Sequence, residues 1–235
     1  MEPFLDLMYE KYGYDHALVR NFGAGERYLA IELVNGNIGI AGTEGRVFDE
    51  DLPVKIDLDN HFHRVLLNAY YNALINYRTE TLIEDGDILK VVDFSQYKNI
   101  YMIGFFRPVY EKMQERGWEV KVFDPRFPDI SLPMDKEKEY LADADAIIIT
   151  ALTLSKHYDL IEIMEASPES DKFILGPSSL MAAEMCEYGI KGVFGVQFKP
   201  YDTYVISLAK QGYGTPYFLP RATKMALLCG NTNAK

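Results

Sequence analysis

The residues best suited to chemistry lie in short turns that follow apolar runs. Residues 173–195, FILGPSSLMAAEMCEYGIKGVFG, read as a strand, the turn Gly176-Pro177-Ser178-Ser179, an amphipathic helix, a glycine and a second strand. A helix start leaves backbone N–H groups unpaired and attracts anions. Ser178 and Ser179 therefore have two readings. They cap the helix, worth roughly 1 kcal/mol, or they join its N–H groups in a nest for an anionic ligand. Gly104-Phe105-Phe106-Arg107 ends an earlier strand. It lacks G-x-G-x-x-G, and Phe105 and Phe106 stand where a pyrophosphate would need close backbone approach, which argues against ordinary NAD binding. Gly104 permits a tight turn, and Pro108 suits a first helical position. Arg107 is either an exposed loop residue or a fork for a carboxylate or phosphate. Asp124 follows Gly104 by about 20 residues, the spacing of a ribose-binding acid. It also reads as a turn aspartate before Pro125. Thr150 ends a third apolar run and adds a polar group at the same level.

A second constellation is DLDNHFHR, with Asp57, Asp59, His61 and His63 at alternate positions. In an extended chain all four share a face, and imidazole with carboxylate suits a divalent transition metal such as zinc, iron or nickel. A helix beginning near Asp59 or Asn60 would instead make the two histidines diverge and leave them as capping and surface residues. His157, at the start of a later helix, is a further candidate ligand or base. GNIGIAGTEG is rich in glycine but precedes no helix, so it is not a phosphate loop. Its glycines mark a strand closely approached by other backbone.

The elements that must place these residues obey two grammars. In the first, Phe4, Leu5, Leu7, Met8 and Tyr12 form the stripe of a short helix ended by Gly13. RYLAIELVNGNIGIAG is a hairpin turning at Asn35-Gly36, and DNHFHRVLLNAYYNALINYR is a helix. An acidic crossing, TETLIEDGDILKVVDFSQYKN, separates this α+β unit from the second half of the chain. From Asn99 the chain alternates strand and helix: IYMIGF, PVYEKMQERG, WEVKVFD, KEKEYLAD, AIIIT, YDLIEIMEAS, KFILG, SLMAAEMCEYG, GVFGV, TYVISLAKQG. Near-continuously apolar strands in βα units imply a doubly wound, mainly parallel Rossmann-like sheet with its ligand crevice at the strands' carboxyl ends. The division expected is 1–88 and 89–235.

The chain has 235 residues, 48% hydrophobic and 25% charged, enough for a buried core without staples. Its net charge of −11 repels a phosphate backbone, so neither nucleic acid nor an anionic membrane is an expected partner. Seventeen tyrosines and 13 phenylalanines are read as core and interface, and exposed aromatics suggest a homodimer. The two cysteines, Cys186 and Cys229, lack metal-type spacing and are read as unpaired thiols of a reducing compartment. The first residues carry early acids and no long apolar run, so neither signal peptide nor membrane span is expected. The expected location is cytoplasmic.

IYMIGFFRPVYEKMQERGWEVKVFD, ADAIIITALTL and above all LGPSSLMAAEMCEYGIKGVFGVQF resemble the putative heavy-metal chelation domain family. ERYLAIELVNGNIGIAG and NAYYNALIN fit its companion domain, similar to the enolase N-terminal domain. The resemblance covers nearly the whole chain through short, mostly fold-forming motifs. It implies a site between the domains around Gly104, Thr150 and Gly176-Pro177-Ser178-Ser179, serving metal chelation or a metal-binding small molecule. Where relatives have T-x-x-x-x-N after the third strand, Thr150 here leads to ALTLSKH, with Ser155 in the asparagine's place. The leading expectation is a protein that binds a small anionic or metal-chelating compound. Ser178 and Ser179 hold the anion, Arg107 supplies charge, and Thr150 and Asp124 orient polar groups. The alternatives are a transferase using a nucleoside cofactor such as S-adenosylmethionine, with Asp124 on the ribose, and a non-enzymatic metal carrier using His61 and His63. The sequence names no nucleophile–base pair, so a reaction is left open.

Overall fold

The computed structural model describes residues 1–48, 50–78 and 81–230. Its first part holds helix α1 (Phe4–Tyr12), strands β1 (Val19–Ala24), β2 (Tyr28–Leu33) and β3 (Ile38–Gly42), and helix α2 (His61–Ile75). The strands form an antiparallel sheet in the order β1-β2-β3. Gly36, at φ 87°, turns the expected β2–β3 hairpin. Asn60 caps α2 by accepting from the His63 N–H. The helix is buried almost all round, as an apolar helix enclosed by other layers must be. On Gly39 a Cβ would collide with the Ala69 carbonyl, so the glycines of β3 do admit close backbone approach.

The second sheet contains β4 (Ile83–Glu84), β5 (Ile100–Ile103), β6 (Val120–Phe123), β7 (Ala146–Thr150), β8 (Asp171–Leu175), β9 (Gly192–Phe198) and β10 (Ala222–Leu228). Their order is β4-β10-β9-β8-β7-β5-β6. The strands from β9 to β6 run parallel, while β10 joins β9 antiparallel and β4 joins β10 antiparallel. The connecting helices are α3 (Ile88–Val91), α4 (Arg107–Glu115), α5 (Glu137–Leu141), α6 (Asp159–Ala166), α7 (Glu184–Glu187), α8 (Tyr204–Lys210) and α9 (Thr215–Phe218). The expected mixed α/β architecture with a mainly parallel sheet is therefore present. Alternation decides its faces: Ile100, Met102, Ala146 and Ile148 pack toward α4, whereas Tyr101, Ile103, Ile147 and Ile149 join the core shared with α1 and α2. A third cluster seats Ile206 and Ala209 of α8 against Ala30, Ile38 and Ile40 of the small sheet.

Three strands had no counterpart in the sequence reading: β1, β4 and β10. The crossing read at 79–99 begins with Thr79 and Glu80, which lie outside the described residues, and its remainder supplies β4 and α3. The cysteine reading is corrected. Cys186 and Cys229 are joined in a disulfide, with Cα atoms 5.1 Å apart. The pairing brings the end of β10 to α7 across 43 residues, a proximity that spacing alone does not reveal. With it falls the argument from free thiols to a reducing compartment. Among the described residues no helix is long and apolar enough to cross a membrane.

Candidate functional site

In an open α/β sheet, ligands sit outside the carboxyl ends of the strands where the winding reverses. Here the chain leaves β5 for β6 on one side and returns to β7 on the other, so the switch point lies between Gly104 and Thr150. Gly104 has φ 83°, and a Cβ there would lie 2.8 Å from the Thr150 Cβ. Only glycine fits both the backbone conformation and the gap. Thr150 is half-buried; its Oγ1 accepts from the Leu152 N–H and its carbonyl accepts from the Thr153 hydroxyl. Gly176 has φ 133° and lies beside Ala151 and Phe106 with room for no more than ordinary contact, and Pro177 next to it is half-buried. The opposite wall comes from the small sheet. Gly42 is packed against Leu152, and Glu44 pairs with Lys156 at 3.3 Å. These contacts bring the small sheet against the turn that follows β7, beside the strand ends where a crevice is expected.

The two serines, however, face away from it. Residues 177–183 are irregular and the only helical turn, α7, begins at Glu184. Ser178 is 3% exposed and its Oγ accepts from the Gly42 N–H at 2.9 Å. Ser179 is fully buried, with its Oγ unpartnered and its Cβ near Gly195. Neither serine caps a helix. The segment is held instead by asparagines spaced four apart, Asn72 on α2 and Asn76 just past its end. Asn72 Nδ2 donates to the Ser178 carbonyl at 3.2 Å, and Asn76 Nδ2 donates to the Ser179 carbonyl at 2.9 Å. Asn76 Oδ1 accepts from the Met181 N–H at 2.8 Å. Asn68 reaches Ser155 Oγ at 3.3 Å, so Ser155 also points inward. Backbone groups that would build a longer helix are thus paired with α2 side chains, which replaces the expected helix by an extended segment.

Asp124 is placed at the crevice edge but has no acceptor position left. Its Oδ1 accepts from the backbone N–H of Arg126 at 3.0 Å and from Arg126 Nε at 2.9 Å. Its Oδ2 accepts from Arg126 Nη2 at 2.7 Å and from the Phe105 N–H at 2.8 Å. Burial pushes this carboxyl up, but the Arg126 bond and the two backbone donors outweigh it and hold it below its ordinary value. A ribose would have to displace one of these four bonds. Arg126 itself stays 62% exposed. Its guanidinium lies over Phe127, and Arg107 lies over Phe105, at 5.9 and 5.3 Å from the ring centroids. Those two rings meet edge to face at 5.0 Å. The positive fields of Arg126 and Arg27 also reach Tyr28 of the small sheet, whose hydroxyl meets Thr215 Oγ1 at 2.6 Å.

The histidines do not assemble as an extended run would place them. α2 starts at His61, so the two side chains leave the helix in different directions. His63 Nδ1 accepts from the Asp57 N–H at 2.9 Å. His61 Nε2 is buried without a partner; burial lowers its pKa, and the nearby Arg46 lowers it further. His157 pairs with Asp6 at 3.5 Å and stacks on Tyr158. Among the described residues no group of three His, Cys, Asp or Glu is placed to hold a metal, and both cysteines are bonded to each other. Among the described residues, the donor set does not converge on a protein-held metal.

Sequence reasoning placed Arg126 in the turn Asp124-Pro125-Arg126 after the second strand without giving it a role, and it missed the asparagine ladder. The ladder had a signal: Asn68, Asn72 and Asn76 recur at four-residue spacing within an otherwise apolar helix. Arg126 had none beyond its place two residues after Asp124.

No curated protein matches the chain. A solved protein of unknown function from the DUF364 family of Pyrococcus horikoshii shares 20% identity, with a TM-score of 0.74 over 89% of this chain and 92% of that one. A second DUF364 protein of unknown function, from Desulfitobacterium hafniense, shares 16% identity, with a TM-score of 0.69 over 96% of this chain and 99% of the other. These likenesses show the fold. The DUF364 family model, described as "Putative heavy-metal chelation", matches residues 87–227, more than half of the chain and the whole of the parallel sheet. The chain belongs to this family.

Proposed function

We propose that the protein binds a small anionic ligand in the crevice at the carboxyl ends of β5, β7 and β8. The observation that carries this reading is the concentration of guanidinium groups there. Arg107 and Arg126 sit on neighbouring aromatic rings, in a chain of net charge −11. Cations gathered against the sign of the whole molecule focus an anion on one place. The family's description adds chelation, and a chelating compound is commonly an anion.

The test is deuterium exchange of the untagged protein with and without a panel of inorganic phosphate, citrate and oxalate. The expected result is protection confined to 104–107, 124–127, 150–153 and 176–177 by at least one anion. Protection elsewhere, or none with any anion, refutes the reading.

A further inference from the structure

We infer that the ligand is itself the chelator: a multiply charged carboxylate gripped by Arg126, which Asp124 holds in place. This inference rests on the crevice reading above and adds the ligand's chemical class and the residue that selects it.

Three observations lead to it. First, the β5–α4 turn offers no backbone cradle for phosphate. The N–H groups of Gly104, Phe105 and Phe106 are committed to the Phe123 carbonyl, Asp124 Oδ2 and Met102 Sδ. A phosphate loop depends on free groups of that kind. Recognition falls to side chains, and a planar guanidinium fork matches a planar carboxylate edge to edge. Second, Asp124 binds only one edge of Arg126, through Nε and Nη2, so Nη1 remains to donate on the other side. The arginine side chain, stacked on Phe127, is fixed by a carboxylate that is 2% exposed, so little rotamer freedom is left to lose on binding. Asp124 is thus a positioning residue for Arg126. Third, the donor set on the chain does not fit a metal, since no trio of ligating side chains converges among the described residues. A metal bound in this crevice would be coordinated by the ligand's own oxygens, and the protein would recognise the carboxylates left free.

The experiment is calorimetric titration of the untagged, disulfide-intact protein with citrate, zinc alone, zinc–citrate and inorganic phosphate. Citrate is expected to bind one per chain, and R126A to weaken it about 10- to 100-fold, the loss typical of a hydrogen-bonded charged partner. R126K keeps a cation beside Asp124 without the fork, guards against a folding defect, and is expected to recover only part of the affinity. R221A alters an arginine engaged by Asp202 and should change nothing. D124N should weaken citrate while the Arg126 Nε–H resonance loses its protection from exchange, a signature that a merely structural aspartate would not produce. Unchanged citrate affinity in R126A and R126K overturns the inference. So does stoichiometric binding of zinc alone, or of phosphate in preference to citrate. Protection of the crevice by an anion that ignores R126A sinks this inference and leaves the crevice reading standing; no anion binding at all sinks both.

Discussion

Replacing Asn76 tests whether α2 holds the segment between Ser178 and Met181. The side chain is 1% exposed and makes three hydrogen bonds: to Asn72 Oδ1 at 2.6 Å, to the Ser179 carbonyl at 2.9 Å, and from the Met181 N–H at 2.8 Å. N76A leaves all three partners buried and unpaired. Each orphaned group costs about 1–3 kcal/mol, and a water entering the vacated space would recover part of that. A loss of about 3–5 kcal/mol is expected, a large share of the roughly 5–15 kcal/mol that holds a domain folded. N76D sharpens the test because it keeps the shape and replaces the donor by an acceptor. The introduced carboxyl would face two oxygens in the interior, so its folded pKa rises above the unfolded value of about 3.9. The folded state then holds the extra proton. The stability retained at low pH is lost as pH rises through the folded pKa, by up to about 1.4 kcal/mol per pH unit. Urea unfolding at pH 5 and pH 8, followed by circular dichroism and by the single tryptophan, Trp118, reads both effects. The reasoning fails if N76A costs under about 1 kcal/mol and N76D tracks the parent's pH dependence, both outside the range set by buried orphans.

Two other outcomes concern the same region. The disulfide closes a loop of 43 residues, so the chain-entropy relation gives C186A/C229A a loss of about 4 kcal/mol; a urea midpoint unmoved by reductant, or two titratable thiols in the unreduced unfolded protein, would contradict the pairing. Burial pushes the Glu184 carboxyl up, but its bonds from Lys11 and Tyr12 outweigh that and hold it low. A depressed folded pKa gives stability that is present above the unfolded value of about 4.3 and lost as pH falls through the folded one. E184Q should therefore be less stable than the parent at pH 7 and converge with it in acid, and parallel curves across that range would count against the ion pair.

What was legible in the chain depended on whether the deciding contacts were local. The parallel strands announced themselves because both faces are covered, which demands unbroken apolar runs such as Ile147, Ile148 and Ile149. The β2–β3 hairpin was readable from Asn35-Gly36, and α2 from its stripe and the Asn60 cap. β10 escaped because Thr223 and Lys224 lie exposed at the antiparallel end of the sheet, so ATKMALL shows no continuous apolar face. β1 escaped for a similar reason, being mostly half-exposed and interrupted by Gly23.

The Gly-Pro-Ser-Ser turn shows the opposite error. Leu180, Met181, Ala182 and Met185 have helical spacing and are buried, so the amphipathic reading placed the right residues in the core. The conformation differs because Asn72 and Asn76, about a hundred residues earlier, compete for the same backbone groups and win. That competition also moves the candidate site. With the serines turned inward to Gly42 and α2, Arg107 and Arg126 are the exposed cations in the turns after β5 and β6, of which only Arg107 was singled out from the sequence. The motif read as the ligand's seat also joins the two sheets, through the Gly42 N–H and the asparagine side chains. The charge that could attract a ligand comes from exposed arginines, of which Arg126 is held in place by the buried Asp124.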